Sequence, residues 1–258
     1  MPRSRKSLVI VLGVAAAVLL PAGFLLQCAV LGDRYAGTET VRAPDGARQA
    51  EFRPLPACEY GRARTPLRGY DDWQRTLLDT TFRLPRSYEP PDLVPVTEAG
   101  VGTPKMTIRR FVLEDLRALV GAAEAAGNRV DVTWAYRSFT TQRHVFDTWT
   151  RQRGRQEALR IAARPGHSEH QLGTSLDFKT RGAPNVDEGW RDEPAGRWMR
   201  EHAWEFGFVE SYPFGAEDTT CYQPEPWHYR YMGRGVAAEI HRSGLTPREF
   251  LWRLQPRP

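Results

Sequence analysis

Apolar and polar positions along this chain follow several different periods, and each predicts a different element. From Leu8 to Leu31 the residues are apolar except Gln27, and Arg3, Arg5 and Lys6 stand just before them. That run is about long enough to cross a ~30 Å hydrocarbon core at 1.5 Å per residue. Phe111, Leu113, Leu116, Leu119 and Val120 recur at helical spacing, and Gly127-Asn128 ends that helix. Val130-Asp131-Val132-Thr133-Trp134 alternates as a strand does. Ser138 or Thr140 caps a further helix through His144, Phe146 and Trp149, and an Arg/Gln-rich helix follows to about Ala163, where Pro165-Gly166 breaks it. Shorter segments read as a helix from Asp71 to Leu78 and strands at Ser175–Lys179, Phe208–Tyr212 and Trp227–Tyr231. A helix carries Trp198, His202 and Phe206 on one face, and one or two helices fill Gly235–Leu254. Helices and short strands in irregular order, with hairpin-like spacing late in the chain, predict an α+β fold: a small antiparallel sheet with flanking helices.

The domain boundaries follow from the same pattern. Residues 1–33 read as a cytoplasmic N-terminus and membrane anchor, because no small-residue cleavage site follows the apolar run; a cleaved export signal is the alternative. Basic residues on the amino side keep that end inside and put the rest of the chain outside, as a single-pass protein of the cell membrane or, after cleavage, a secreted one. Residues 34–68, rich in Gly, Pro, Ala and Arg, read as an extracytoplasmic stalk, and residues 69–258 as the folded domain. Outside the cytosol cysteines can pair. With Cys28 in the apolar run, Cys58 and Cys221 are left as an even pair, joined as a disulfide or standing as two thiols.

Composition narrows the class. At 41% hydrophobic with eight tryptophans, the chain can build a sizeable core and is not disordered. Its net charge of +5 is spread among 31 acidic residues, with no basic block beyond the N-terminal cluster, so no nucleic-acid partner is predicted.

Two late segments concentrate metal-binding and proton-moving side chains. One runs from Gly166 to Asp177 and the other is Glu225-Pro226-Trp227-His228. A catalytic zinc takes three protein ligands and leaves a fourth position open. His170, Asp177 and His228 supply two nitrogens and one oxygen, provided a turn at Gly173 brings the first two together. His167 stands close enough to compete with His170. Glu225, freed from regular strand pairing by Pro226, can reach toward the water of such a site. His144, His202 and His241 are read as ordinary hydrogen-bonded histidines.

These segments resemble a known family. Ser168-x-His170-x-x-Gly173-x-x-x-Asp177 with Glu225-x-x-His228 is similar to the motif pair of the VanY-type zinc D-alanyl-D-alanine carboxypeptidases, relatives of the VanX dipeptidases and of the hedgehog amino-terminal domain. Ala135-Tyr136-Arg137-Ser138-Phe139 with Gln142 resembles G-Y-R-S-Y-x-x-Q, and Glu225 to Tyr231 matches E-P-W-H-Y-R-Y. Ser168-Glu169-His170-Gln171 matches S-E-H-Q, and Leu84-Pro85 with Tyr88, Pro90, Asp92 and Leu93 is similar to L-P-x-x-Y-x-P-x-D-L. The likeness covers about Gly69 to Arg242. It implies a hedgehog/D-Ala-D-Ala peptidase-like fold, one zinc per chain on His170, Asp177 and His228, and Glu225 as general base and acid. Arg137, Gln142 and Ser168 would hold the substrate. A guanidinium suits a free terminal carboxylate, which it binds bidentately. The implied activity is removal of C-terminal D-Ala from peptidoglycan stem peptides. The alternatives are a cell-wall endopeptidase or dipeptidase with the same centre, or a zinc-containing binding module. The chain departs from the pattern at Ser175, where Ala is usual; at Glu210-Ser211-Tyr212-Pro213, where x-R-Y-P loses its arginine near the cleft with a change of substrate preference; and at Cys221, where Gly is usual.

Overall fold

In the computed structural model, which describes residues 54–256, the alternating segments become strands and the periodic ones helices. In chain order the strands are β1 (Ala63–Arg64), β2 (Phe82–Arg83), β3 (Leu93–Pro95), β4 (Thr107–Arg109), β5 (Val130–Trp134), β6 (Ser175–Thr180), β7 (Phe208–Glu210) and β8 (His228–Tyr231). The helices are α1 (Leu113–Ala125), α2 (Phe139–Arg153), α3 (Arg155–Ile161), α4 (Pro194–His202), α5 (Glu217–Thr220), α6 (Arg234–Ser243) and α7 (Pro247–Leu254). Strands β5-β6-β8-β7 form one antiparallel sheet in that order, while β1 with β2 and β3 with β4 make two small ribbons. This is the expected α+β architecture.

The central sheet is buried on both faces, and the two faces differ in kind. Val130, Val132, Leu176, Phe178 and Tyr229 belong to one apolar cluster with Leu116, Leu119 and Val120 of α1 and Met199 of α4. On the other face the side chains alternate to Ser175, Asp177, His228 and Arg230, all 6% exposed or less. Buried charge is tolerated only when paired or bound to a metal, so this polar face marks where the chemistry lies.

Local signals account for most element ends. The Ser138 hydroxyl accepts the Thr141 N–H at 3.2 Å and starts α2. Gly127, at φ +78°, ends α1. The helical pattern from Asp71 to Leu78 yields only a 3-10 turn at Tyr70–Asp72. The carbonyls of Trp73 and Thr76, which a longer helix would bond internally, instead accept from Arg230 Nη2 at 2.7 and 2.8 Å.

The folded domain begins earlier than Gly69. Pro54 and Pro56 carbonyls accept from Trp252 Nε1 (2.9 Å) and Arg248 Nη2 (3.1 Å), Thr65 is fully buried, and Cys58 is bonded to Cys221. Residues 54–68 therefore pack on the domain, where composition alone reads a stalk. The anchor expected over residues 1–33 and the stalk before residue 54 lie outside the described residues; among the described residues no helix is long and apolar enough to cross a membrane.

Candidate metal centre

His170 arrives from a 3-10 turn, Glu169–Leu172, which Gly173 closes at φ +71°. A Cβ on Gly173 would come within about 3.1 Å of Arg109 and Leu93, so conformation and space both call for glycine. The chain then enters β6 and reaches Asp177, whose register partner on β8 is His228. The ligand atoms of His170, Asp177 and His228 lie within 4.8 Å of one another. Asp177 Oδ1 is 3.3 Å from His170 Nε2 and 3.0 Å from His228 Nδ1. Two donors at about 2.0–2.1 Å from one tetrahedral zinc stand about 3.3 Å apart, close to both separations from Asp177 Oδ1, so the trio is compact enough to hold that ion.

The remaining ring nitrogens are engaged elsewhere. His170 Nδ1 faces the Ala135 carbonyl at 2.8 Å, leaving Nε2 for the centre. His228 is turned the other way, with Nε2 3.0 Å from Glu169 Oε2 and Nδ1 toward Asp177. His167 does not compete with His170: its Nδ1 faces the Asp79 carbonyl at 2.8 Å and it lies outside the group.

Burial and neighbours set the charges. Burial pushes the Asp177 carboxyl up, but His170 and His228 outweigh it and hold the carboxyl far below the ordinary range. Burial takes His170 down to about 4, a neutral imidazole suited to metal ligation. Burial also opposes a charge on His228, yet its bonds to Asp177 and Glu169 raise it to about 10. A cation held at Nδ1 would take the place of that proton. Glu225 is raised to about 7 by burial, opposed first by His228, and its Oε2 stands 3.8 Å from His228 Nδ1.

Asp177 and Glu225 open onto a cleft of about 710 Å³, walled by Thr141, Val145, Thr148, Trp149 and Gln152 of α2 and by Trp134, Arg137 and Trp227. Arg137 is tied to the metal turn, since its backbone N–H donates to the His170 carbonyl at 3.2 Å. Its guanidinium carbon sits 5.2 Å over the Trp134 ring, and its Nε is buried with no hydrogen-bond partner. Among the described residues no carboxylate lies within ion-pair distance of it. Gln142 lines the same cleft; its amide N–H donates to the Ala163 carbonyl at 2.6 Å and its Oε1 is buried and unpartnered. Ser168 is buried at the start of the turn and does not line the cleft.

Three residues of the site were quoted in motifs without a role. Glu169 Oε1 accepts from Arg230 Nη1 at 2.9 Å, and its Oε2 accepts from Ser211 Oγ at 2.7 Å. Ser211, where the family carries arginine, is thus a buried partner of Glu169 and does not line the cleft. The available signal was alternation: Arg230 lies two residues after His228 on one strand, hence on the same face, and a buried guanidinium calls for a carboxylate.

Cys221 is the only non-glycine described residue with positive φ, at 69°. Glycine adopts that backbone without the cost a Cβ brings.

A family model for VanY, D-alanyl-D-alanine carboxypeptidase, matches residues 105–234. The protein YodJ of Bacillus subtilis (strain 168) is 34% identical over 178 residues, covering 67% of this chain and 65% of YodJ, so the match spans just under two thirds of that relative. Among solved structures, the LdcB LD-carboxypeptidase aligns with a TM-score of 0.65 at 28% identity over 76% of this chain and 98% of its own. A vancomycin-resistance VanY D,D-pentapeptidase in complex with Zn(II) aligns with a TM-score of 0.60 at 28% identity over 69% of this chain and 99% of its own.

Proposed function

Since the chain belongs to the VanY family of D-alanyl-D-alanine carboxypeptidases, we propose that it is an extracytoplasmic zinc peptidase that removes the C-terminal D-Ala from peptidoglycan stem peptides. One zinc per chain would be held by His170 Nε2, Asp177 Oδ1 and His228 Nδ1. Bound there, zinc supplies Lewis acidity, polarising a carbonyl and acidifying water. The observation that carries the reading is Arg137, half-buried in the cleft wall beside this group, with no ion-pair partner among the described residues and a buried Nε that makes no hydrogen bond there. A guanidinium so placed is a receptor for a terminal carboxylate, and it sets the scissile bond one residue away from the anchor.

Hydrolysis adds the elements of water across the C–N bond. Glu225, the cleft carboxylate that stands 3.8 Å from His228 Nδ1, accepts a proton from the attacking water and delivers it to the nitrogen that leaves as free D-Ala. The exposed face of α2 from Thr141 to Gln152 runs for about 16 Å at 1.5 Å per residue, room for roughly five extended peptide residues. A dipeptidase needs a carboxylate for the free ammonium of its substrate, and among the described residues the only carboxylates on the cleft wall are Asp177 and Glu225. An endopeptidase would leave Arg137 without a partner.

The Cys58–Cys221 disulfide supports a domain outside the cytosol, and the basic cluster followed by the apolar run to Leu31 supports attachment to the cell membrane through the amino terminus. Mass spectrometry of a stem pentapeptide treated with the zinc-loaded protein tests the reaction: loss of a single D-Ala is expected, and loss of an intact dipeptide or an internal cut would overturn the assignment.

A further inference from the structure

We propose that Glu169 is a positioning residue that selects Nδ1 of His228 as the atom presented to the metal. The inference rests on the zinc reading of the site. A neutral imidazole carries its proton on one nitrogen, and the partner of one nitrogen decides whether the other is free to ligate. His170 is settled by a backbone carbonyl, that of Ala135, and offers Nε2. His228 must offer the opposite atom, because its Nδ1 is the one 3.0 Å from Asp177 Oδ1. Among the described residues no backbone carbonyl bonds its Nε2; the group there is Glu169 Oε2, at 3.0 Å. A carboxylate at that distance accepts Nε2–H and leaves the Nδ1 lone pair directed at the metal.

Glu169 is itself held. Its two oxygens serve three donors: Arg230 Nη1 on Oε1, Ser211 Oγ and His228 Nε2 on Oε2. Arg230 is in turn fixed by the Trp73 and Thr76 carbonyls. Glu169, Ser211, His228 and Arg230 are all 4% exposed or less, so water cannot substitute for a lost partner. An amide at position 169 has one acceptor oxygen, and its NH₂ would face a donor. The alternative role for Glu169 is as counter-ion to Arg230, holding the fold and nothing more.

Zinc affinity measured by competition with a chelator separates the two. Glu169→Gln is expected to bind zinc about 10–100-fold more weakly than wild type, the usual cost of removing a partner that orients a ligand. Long-range proton–nitrogen spectra of the zinc-loaded wild type should show the His228 proton on Nε2. A Glu169→Gln protein with native circular dichroism and zinc affinity within twofold of wild type would reduce Glu169 to a structural counter-ion and overturn the proposal. If that variant does not fold, Ser211→Ala, which keeps the Glu169–Arg230 pair, should still lose severalfold in zinc affinity, and a His228 proton found on Nδ1 would be decisive against it. A wild-type protein that binds no zinc would instead refute the metal reading beneath it.

Discussion

Asp177 and His228 stand opposite one another on adjacent antiparallel strands, with Oδ1 and Nδ1 3.0 Å apart. The sheet register itself therefore brings together two of the three candidate ligands, and a slip of either strand by one residue would send its member of the pair to the apolar face. Asp177→Asn keeps the shape and removes the charge that attracts a cation. Zinc content measured by elemental analysis after dialysis should fall from about one per chain to background, with the hydrolytic rate lost alongside it. Full zinc occupancy in that variant would remove Asp177 from the ligand set.

Glu225→Gln should behave in the opposite way. The amide cannot accept a proton but leaves the three ligands untouched, so zinc should be retained while kcat falls roughly 10²–10⁴-fold. Near-normal turnover with zinc bound would mean that the proton travels by another group.

The grouping of His170, Asp177 and His228 was legible because its spacing and motifs are local: Ser168 to Asp177 is one segment and Glu225 to His228 another. The Glu169–Arg230–Ser211 cluster was not, because it depends on a turn, β8 and the end of β7 meeting across 61 residues of chain. The short helix expected at Asp71–Leu78 failed for the same reason, since Arg230 captures its carbonyls from far along the sequence. Composition also misplaced the start of the domain. A Gly/Pro-rich stretch reads as linker, and only the three-dimensional contacts of Pro54, Pro56, Cys58 and Thr65 show it packed. Strands β5 and β6 and helices α1 and α2, whose periods are long and regular, fell close to where the pattern put them.

The disulfide closes a loop across a sequence separation of 163, and replacing both cysteines should cost about 2–5 kcal/mol of stability. The replacement at 221 matters, because φ there is +69°. Cys58→Ser/Cys221→Gly should be about 1–2 kcal/mol more stable than Cys58→Ser/Cys221→Ser, since glycine adopts that backbone without the cost a Cβ brings. Urea denaturation of the two double variants checks the order.

His167 gives a pH signature apart from catalysis. Burial first, then the Arg164 charge, lowers its pKa from 6.5 to about 4. An imidazole whose folded pKa lies below its unfolded one takes up a proton on unfolding, so its contribution is complete above about 6.5 and is lost as pH falls toward 4. Between pH 7 and 4.5 wild type should lose about 2 kcal/mol more than His167→Gln, as read from urea midpoints at the two pH values. Parallel losses in the two proteins would show His167 to be indifferent to pH.

The most direct test of a carboxypeptidase built around Arg137 is to compare one D-Ala-D-Ala-terminated stem peptide as the free acid and as its C-terminal amide, with wild type and with Arg137→Ala. A guanidinium in the cleft wall left without its partner rejects the amide, so wild type should cut the acid at least about 10²-fold faster by kcat/KM, and Arg137→Ala should lose both the rate and most of the preference. Equal rates on acid and amide by the wild-type protein would contradict the assignment.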